Sequence, residues 1–372
     1  MKFVLATQEL NYLVNKCLSV VGQKSTMPIL SNFLIEDYNG ELSITATDLS
    51  VGVRCFTQAK ILEEGATTVP AKKFSSLVRE LTALNVEIRT NSHHVTEIIA
   101  DSSKFKINGM DSAEFPSLPE LKEATKFKVP QNSFKDMLFR TAFAVSRDEA
   151  RFTLTGVCMQ IANGRASFTG TDGKKLAKAF LQTDFDPSFS GTYIIPHRSV
   201  EELLKILEEE GEVSIYLMND KIAVENESTL LITKLISGEY PDVQQVIPAK
   251  SEFLVALHRE ELISLLRQVS LFAENEHHSV KFCFENGELK LSANDKEVGE
   301  GNVSMPVDFH QDKLEIAFNP AYVVSILQHS KGETVSLGLT DSFHPGLITE
   351  GNTPVASANA LFVIMPMRLS TG

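Results

Sequence analysis

The sequence predicts an α+β chain made of three tandem copies of one domain, each a mostly antiparallel sheet carrying two helices. Three features predict it: two kinds of apolar helical stripe that return at domain length, a hairpin between the two stripes of every copy, and a polar dyad ending in Asp after every hairpin. A chain of 372 residues is too long for one ordinary core and divides into domains of typical size. Self-similarity is therefore the first property to test.

In the first stripe, Leu10, Leu13, Val14, Cys17, Leu18 and Val21 follow the spacing of one helix face. Phe134, Met137, Leu138, Thr141, Ala142 and Val145 repeat it, with Phe134 lying 124 residues after Leu10. Leu262, Leu265, Leu266, Val269 and Ala273 repeat most of it, 128 residues further on. A second kind of stripe runs through Phe74, Leu77, Val78 and Leu81, then Val200, Leu203, Leu204 and Leu207, then Val323, Ile326 and Leu327, at intervals of 126 and 123. Pro70, Pro196 and Pro320 precede these second helices near the first turn, where a missing N–H costs little.

Between the helices lie paired strand-like runs: 34–36 with 42–46, 157–161 with 166–169, and 280–284 with 289–293. Asn39-Gly40, Asn163-Gly164 and Asn286-Gly287 separate them, and Asn-Gly is the strongest short hairpin signal. Each hairpin is followed by a dyad, Thr47-Asp48, Thr171-Asp172 or Asn294-Asp295. Further strands are expected at 86–89, 213–217 and 335–339, then at 105–107, 230–235 and 361–365. Boundaries near 123 and 250, beside Phe115-Pro116 and Tyr240-Pro241, divide the chain into domains 1–123, 124–250 and 251–372.

The chain is 43% apolar and 22% charged, with no run of about 18 apolar residues to span a membrane. Its first residues turn polar too early for a signal peptide, which implies a cytoplasmic address. Cys17, Cys55, Cys158 and Cys283 are scattered without a CxxC pair and read as buried thiols. A formal charge of −13 argues against wrapping DNA with the whole surface, because non-specific affinity comes from Lys and Arg neutralising phosphates. Any DNA role must rest on local charge or on shape.

On this architecture the sequence resembles the bacterial DNA polymerase III beta subunit family along essentially its whole length. TMPILSN (26–32), TATDLS (45–50), VPAKKF (69–74), GTDGKKLA (170–177), KLISGEYPDV (234–243), FNPAYV (318–323) and VIMPMRL (363–369) carry the resemblance. It implies a DNA sliding clamp: clamp domains with helices inside and sheets outside, and a head-to-tail dimer forming a closed ring. The ring would act as a non-catalytic processivity factor, with no cofactor, metal or membrane. Its implied partners are duplex DNA of any sequence, a second copy, the replicative polymerase alpha subunit, the clamp-loader complex, and translesion polymerases and repair proteins.

By position the family's dimer interface maps to Lys104, Phe105 and Ile107 on one side and Leu271 and Phe272 on the other. Cations off the helical stripes, Lys73, Arg79, Lys135, Arg140, Arg198 and Lys205, with Lys16, Arg267 and Lys331 beside them, are candidates to line a central hole. Lys24 and Arg147 fall in loops where the family contacts DNA. Phosphate contacts position a duplex without reading bases, as sliding requires.

The resemblance also implies a pocket for short apolar partner peptides between the second and third domains. It maps to Arg151, Leu154, Thr171, Gly173, Lys174, Lys175 and Leu176, to Pro241 and Val246, to Asn319, Tyr322 and Phe343, and to Val363, Met365, Pro366, Met367 and Arg368. Unbranched, polarizable Met365 and Met367 suit varied Leu and Phe anchors, with Met367 as a gate. Gln245 and Lys174-Lys175 depart from the family's usual Arg, and from its usual aromatic or His followed by Arg. Lys lacks the bidentate fork of Arg, so peptide preference should shift. A polar tail, Ser370-Thr371-Gly372, follows Leu369.

Two other classes compete. A hydrolase built on Asp48, Asp172 and Asp295 needs carboxylates in dissimilar environments, whereas the same position in three repeats reads as one structural turn. A metal site at His93-His94 or His277-His278 fails because neighbours on a strand point to opposite faces. A β-rich peptide adaptor that never encircles DNA differs from a clamp in its oligomeric state.

Overall fold

The computed structural model describes residues 1–22, 27–38, 40–122, 124–182, 189–273, 279–351 and 357–368. Lys24, Asn39, His277-His278 and Leu369 with the tail after it lie outside these residues. Among the described residues six α-helices form, two per repeat: α1 (Thr7–Leu18), α2 (Ala71–Glu80), α3 (Gln131–Ala142), α4 (His197–Ile206), α5 (Arg259–Val269) and α6 (Pro320–Gln328). Leu10, Leu13, Val14 and Cys17 of α1 are buried, as are Phe134 and Leu138 of α3 and Leu262, Leu266 and Val269 of α5. The short helices bury Phe74 and Val78, Val200 and Leu203, and Val323, Ile326 and Leu327. The stripes outrun the helices. Val21, Val145 and Leu207 lie past the last turns yet stay buried, because the chain keeps to the core as it leaves each helix. Only Pro320 occupies a first turn; Pro70 and Pro196 end the preceding strands Ala66–Pro70 and Gly191–Pro196.

All three hairpins form. Asn32–Tyr38 pairs with Glu41–Thr47, Gly156–Ala162 with Arg165–Thr171, and Val280–Glu285 with Glu288–Asp295. Asn163 and Gly164 take φ of 52° and 71°, and Asn286 and Gly287 take 51° and 79°. Positive φ at both central residues is the type I′ requirement that Asn-Gly meets with least strain.

The described chain forms two compact units. The first comprises Met1–Lys135 and Arg198–Leu235, the second Asp136–His197 and Ile236–Gly372. The first holds a five-stranded sheet and an eight-stranded one, both antiparallel. In the eight-stranded sheet Val51–Thr57 of the first repeat pairs with Thr229–Lys234 of the second. α1 packs against α2 and over Glu41–Thr47 and Val51–Thr57.

The second unit holds another eight-stranded antiparallel sheet, in which Lys175–Gln182 of the second repeat pairs with Ala360–Ile364 of the third. Its four-stranded sheet carries α5, which packs against α6. There Phe282 and Phe318 meet edge to face at 5.3 Å, and each buried ring of this kind contributes about 1.5–3 kcal/mol by leaving water. Among the described residues no helix is long and apolar enough to cross a membrane.

Candidate functional site

The three Asp residues prove to be one turn used three times. Asp48 Oδ1 accepts the amides of Ser50 and Val51 at 2.9 and 2.8 Å. Asp172 Oδ1 accepts those of Lys174 and Lys175 at 2.8 and 2.9 Å, and Asp295 Oδ1 those of Glu297 and Val298 at 2.8 and 3.1 Å. A carboxylate holding two backbone amides is a structural cap, and each copy is engaged alike.

In the second unit this turn organises the candidate peptide site. Thr171 Oγ1 donates to the Lys175 carbonyl at 2.7 Å and accepts from the Gly173 amide at 3.1 Å. Gly173 has φ of +81°, and a Cβ there would stand 2.9 Å from Arg151 Nη1, so glycine serves both backbone and neighbour. That guanidinium donates to the Asp172 carbonyl at 2.9 Å. Lys175 turns inward, pairs with Asp172 Oδ2 at 2.5 Å and lies 4.5 Å from the centroid of the Tyr322 ring.

The C-terminal segment joins the same turn. Met365 donates its amide to the Lys174 carbonyl at 2.9 Å, and Met367 donates to Ala317 at 2.8 Å. Asn319 caps α6 by accepting the Ala321 amide at 2.9 Å, which sets Tyr322 one turn in. Leu154 closes the short 3₁₀ segment Glu149–Thr155 by accepting the Ser146 amide at 2.8 Å. Pro241, Val246, Phe343, Met365 and Arg368 are exposed, and Pro366 and Met367 are half-buried. Asp341 shapes the loop that presents Phe343: the amides of Phe343 and His344 donate to it at 2.7 and 2.8 Å and hold its carboxyl below the usual range.

Leu176 and Val363 do not line an open surface. They are buried in a cluster with Leu347 and Leu361, against which Phe180, Val243 and Ile247 pack. These last five residues form the foundation of the site, and the sequence alone did not point to them. Their signal was strand alternation, Leu176 with Phe180 and Leu361 with Val363. Exposed Phe152, next to Arg151, also escaped it. Burial lifts the Tyr240 phenol above its ordinary pKa, and its hydroxyl donates to the Thr169 carbonyl at 3.3 Å.

The candidate DNA cations divide. Lys73, Arg79 and Arg147 are exposed. Lys135 pairs with Glu209 at 2.5 Å, Arg198 with Asp48 at 2.5 Å and Lys205 with Glu202 at 2.9 Å. Lys16 pairs with Glu208 at 3.4 Å, and Lys331 with Asp136 at 2.8 Å. Arg140 requires a correction. Its side chain is 3% exposed and clamped by Asp136 at 2.8 Å and Glu350 at 2.7 Å, so it is spent on structure and has no face to offer a phosphate.

The candidate interface residues lie in edge strands or in the short 3₁₀ turn Ser270–Phe272 beside one. Lys104, Phe105 and Ile107 belong to Ser103–Asn108, the edge strand of the five-stranded sheet. Phe105 and Ile107 line a hollow of about 570 Å³ with Lys73 and Leu77 of α2. In the other unit Leu271, 76% exposed, borders a hollow of about 320 Å³ with Ile263 and Arg267. Phe272 lies against Gly301 of the edge strand Gly299–Pro306, where a Cβ would come within 2.5 Å of its ring.

Family models of the DNA polymerase III beta subunit match three consecutive stretches: the N-terminal domain over residues 1–119, the central domain over 128–242 and the C-terminal domain over 244–368. The beta sliding clamp of Chlamydia pneumoniae is 52% identical over 369 residues, covering 99% of each chain. That of Bacillus subtilis is 28% identical, covering 99% of this chain and 100% of its own. The crystal structure of the B. subtilis DNA polymerase sliding clamp superposes with a TM-score of 0.94 at 27% identity over 99% of both chains. The Pseudomonas aeruginosa sliding clamp bound to griselimycin also gives 0.94 at 27% identity, covering 99% of this chain and 100% of its own. Three clamp domains in tandem, matched end to end by such relatives, make this chain a member of the DNA polymerase III beta subunit family, the bacterial sliding clamps.

Proposed function

We propose that two copies of this chain join head to tail into a closed ring that encircles duplex DNA and tethers the replicative polymerase to it. The strand inventory is the observation that carries this reading. Val51–Thr57 of repeat one and Lys175–Gln182 of repeat two each pair with a strand of the following repeat, Thr229–Lys234 and Ala360–Ile364. Their counterpart in repeat three is Gly299–Pro306, and the counterpart of the receiving strands in repeat one is Ser103–Asn108; each lies at the edge of its sheet. An exposed edge is a template for another strand. A third seam of the same kind, made between copies, joins two different surfaces and either closes or propagates. Lys104, Phe105 and Ile107 flank one side of it and Leu271 and Phe272 the other.

Lys24, Lys73, Arg79, Lys135, Arg147, Arg198 and Lys205 touch phosphates without reading sequence. The site around Asp172, Tyr322 and Met367 receives short apolar peptides of the polymerase alpha subunit, the clamp loader, translesion polymerases and repair proteins. The ring works in the cytoplasm as a tether, and its repeats divide near residues 123 and 250.

The test is topological. After loading on closed circular plasmid, the ring stays bound in 1 M salt and is lost once the plasmid is cut. Equal, salt-sensitive loss from both forms overturns the ring in favour of an adaptor that binds DNA by charge.

A further inference from the structure

The turn that anchors the peptide site recurs in the first unit, as Thr47-Asp48-Leu49-Ser50-Val51 against Thr171-Asp172-Gly173-Lys174-Lys175, and the residue at its positive-φ position differs in kind. Thr47 Oγ1 donates to the Val51 carbonyl at 2.8 Å, as Thr171 does to Lys175 at 2.7 Å. Where the second copy has Gly173, the first has Leu49, held at φ of +74° and 47% exposed. Bulky side chains rarely adopt that backbone. Here it keeps a leucine at the mouth of a cavity of about 170 Å³, walled also by Pro116, Leu118 and Ile232. A cavity of roughly 150 Å³ is enough for a benzene ring, so this one has room for a single leucine or phenylalanine side chain.

The chain's own linker shows what the groove accepts. Leu118 lies on the backbone of Gly52, where a Cβ would collide with its Cδ2, and packs beside the cluster of Tyr216, Leu230 and Ile232. In the second unit Val243, 125 residues later, packs likewise against Leu176, Leu361 and Val363. Each linker therefore lays apolar side chains across its seam. Beside the remaining space stand two cations, exposed Lys234 and Lys221, whose Nζ pairs with exposed Asp220 at 2.8 Å. A surface pair of this kind exchanges readily for another carboxylate.

We propose that the seam between repeats one and two is a second peptide-docking site, which takes one leucine or phenylalanine side chain next to a carboxylate. It extends the peptide-site reading of the seam between repeats two and three, and rests on it. A ring of two copies then offers four seats, so two partners can be held on one subunit.

Calorimetric titration of the full chain with an acetylated tetrapeptide of two leucines, an aspartate and a phenylalanine tests this. Two events per chain are expected. Leu49→Asp, tolerable at positive φ, and Lys234→Glu, at an exposed position, each weaken one event at least tenfold and leave the other within twofold. Met367→Asp weakens the other event instead. A single event, lost in Met367→Asp and untouched by Leu49→Asp and Lys234→Glu, overturns the second seat alone. Events that ignore Met367→Asp overturn the peptide-site reading and this inference with it. Should Leu49→Asp fail to fold, Lys234→Glu alone decides between one seat and two, and simultaneous loss of both events there counts against an independent seat.

Discussion

Replacing Asp172 by Ala should be the most damaging single change in the candidate peptide site, and its cost can be worked from the geometry. The carboxylate accepts two amides through Oδ1 and the Lys175 ammonium through Oδ2, with only 16% of its own side chain and 9% of that of Lys175 exposed. Stranding one member of a buried pair costs about 3–5 kcal/mol, so Asp172→Ala should lose about 4 kcal/mol from the second unit. Asp48 makes the same two amide bonds, but its partner Arg198 is 54% exposed. An exposed pair contributes about 0–1 kcal/mol, which leaves about 2 kcal/mol for Asp48→Ala, mostly from its amide bonds. With Lys175→Met already in place no ammonium is stranded, and the cost of Asp172→Ala should fall to a similar value. Urea unfolding read from methyl signals of Leu176 and Ile44 follows the two units separately, because they need not melt together. Equal costs for Asp48→Ala and Asp172→Ala, or no relief from Lys175→Met, would refute the burial argument.

Two further outcomes follow from buried groups. Arg140→Met should destabilise the second unit by about 2 kcal/mol, because Glu350 loses its guanidinium while Asp136 keeps the Lys331 ammonium, and should leave the salt dependence of DNA retention unchanged; a reduced salt slope would return Arg140 to the DNA face. His329, stacked 4.2 Å from the Phe143 ring and 4.4 Å from that of Phe139, has its pKa lowered by burial, partly offset by the Ser325 carbonyl. The unfolded chain then binds more protons between the two pKa values, so this contribution is full above about pH 6.5 and is lost on acidification through the lower folded value. The urea midpoint of the native chain should therefore drop more between pH 7.5 and 5.5 than that of His329→Gln; parallel curves would exclude His329 as the cause.

What the sequence displayed was whatever local chemistry controls. Stripe spacing located all six helices because an amphipathic face must repeat with the helix turn. Asn163-Gly164 and Asn286-Gly287 located hairpins because few other pairs accept two positive φ values. The seams were hidden. Val51–Thr57 and Thr229–Lys234 pair across two repeats, and neither segment carries a turn signal that points to the other. The same blindness misplaced Arg140: off its stripe it resembled Lys135, and the decisive Glu350 lies 210 residues away. Cys17 and Cys55, distant in sequence, face each other at 3.5 Å between Sγ atoms for the same reason. Leu176 and Val363 were candidate lining residues by resemblance, and only the packed structure shows them buried beneath that surface.

If the helical cations meet phosphates as proposed, their pairing reconciles a chain of net charge −13 with a grip on DNA. Lys135, Arg198 and Lys205 each carry a carboxylate partner, Glu209, Asp48 and Glu202. A phosphate that approached any of them would compete with that carboxylate, so the pair already present would offset part of what the new contact gains. Each contact then contributes little net affinity and releases few counterions, so no register along the duplex is much preferred over the next. Weak, interchangeable contacts would suit the proposed ring, whose hold on DNA is closure, and they make linearisation of the plasmid, more than salt, the perturbation that should free it.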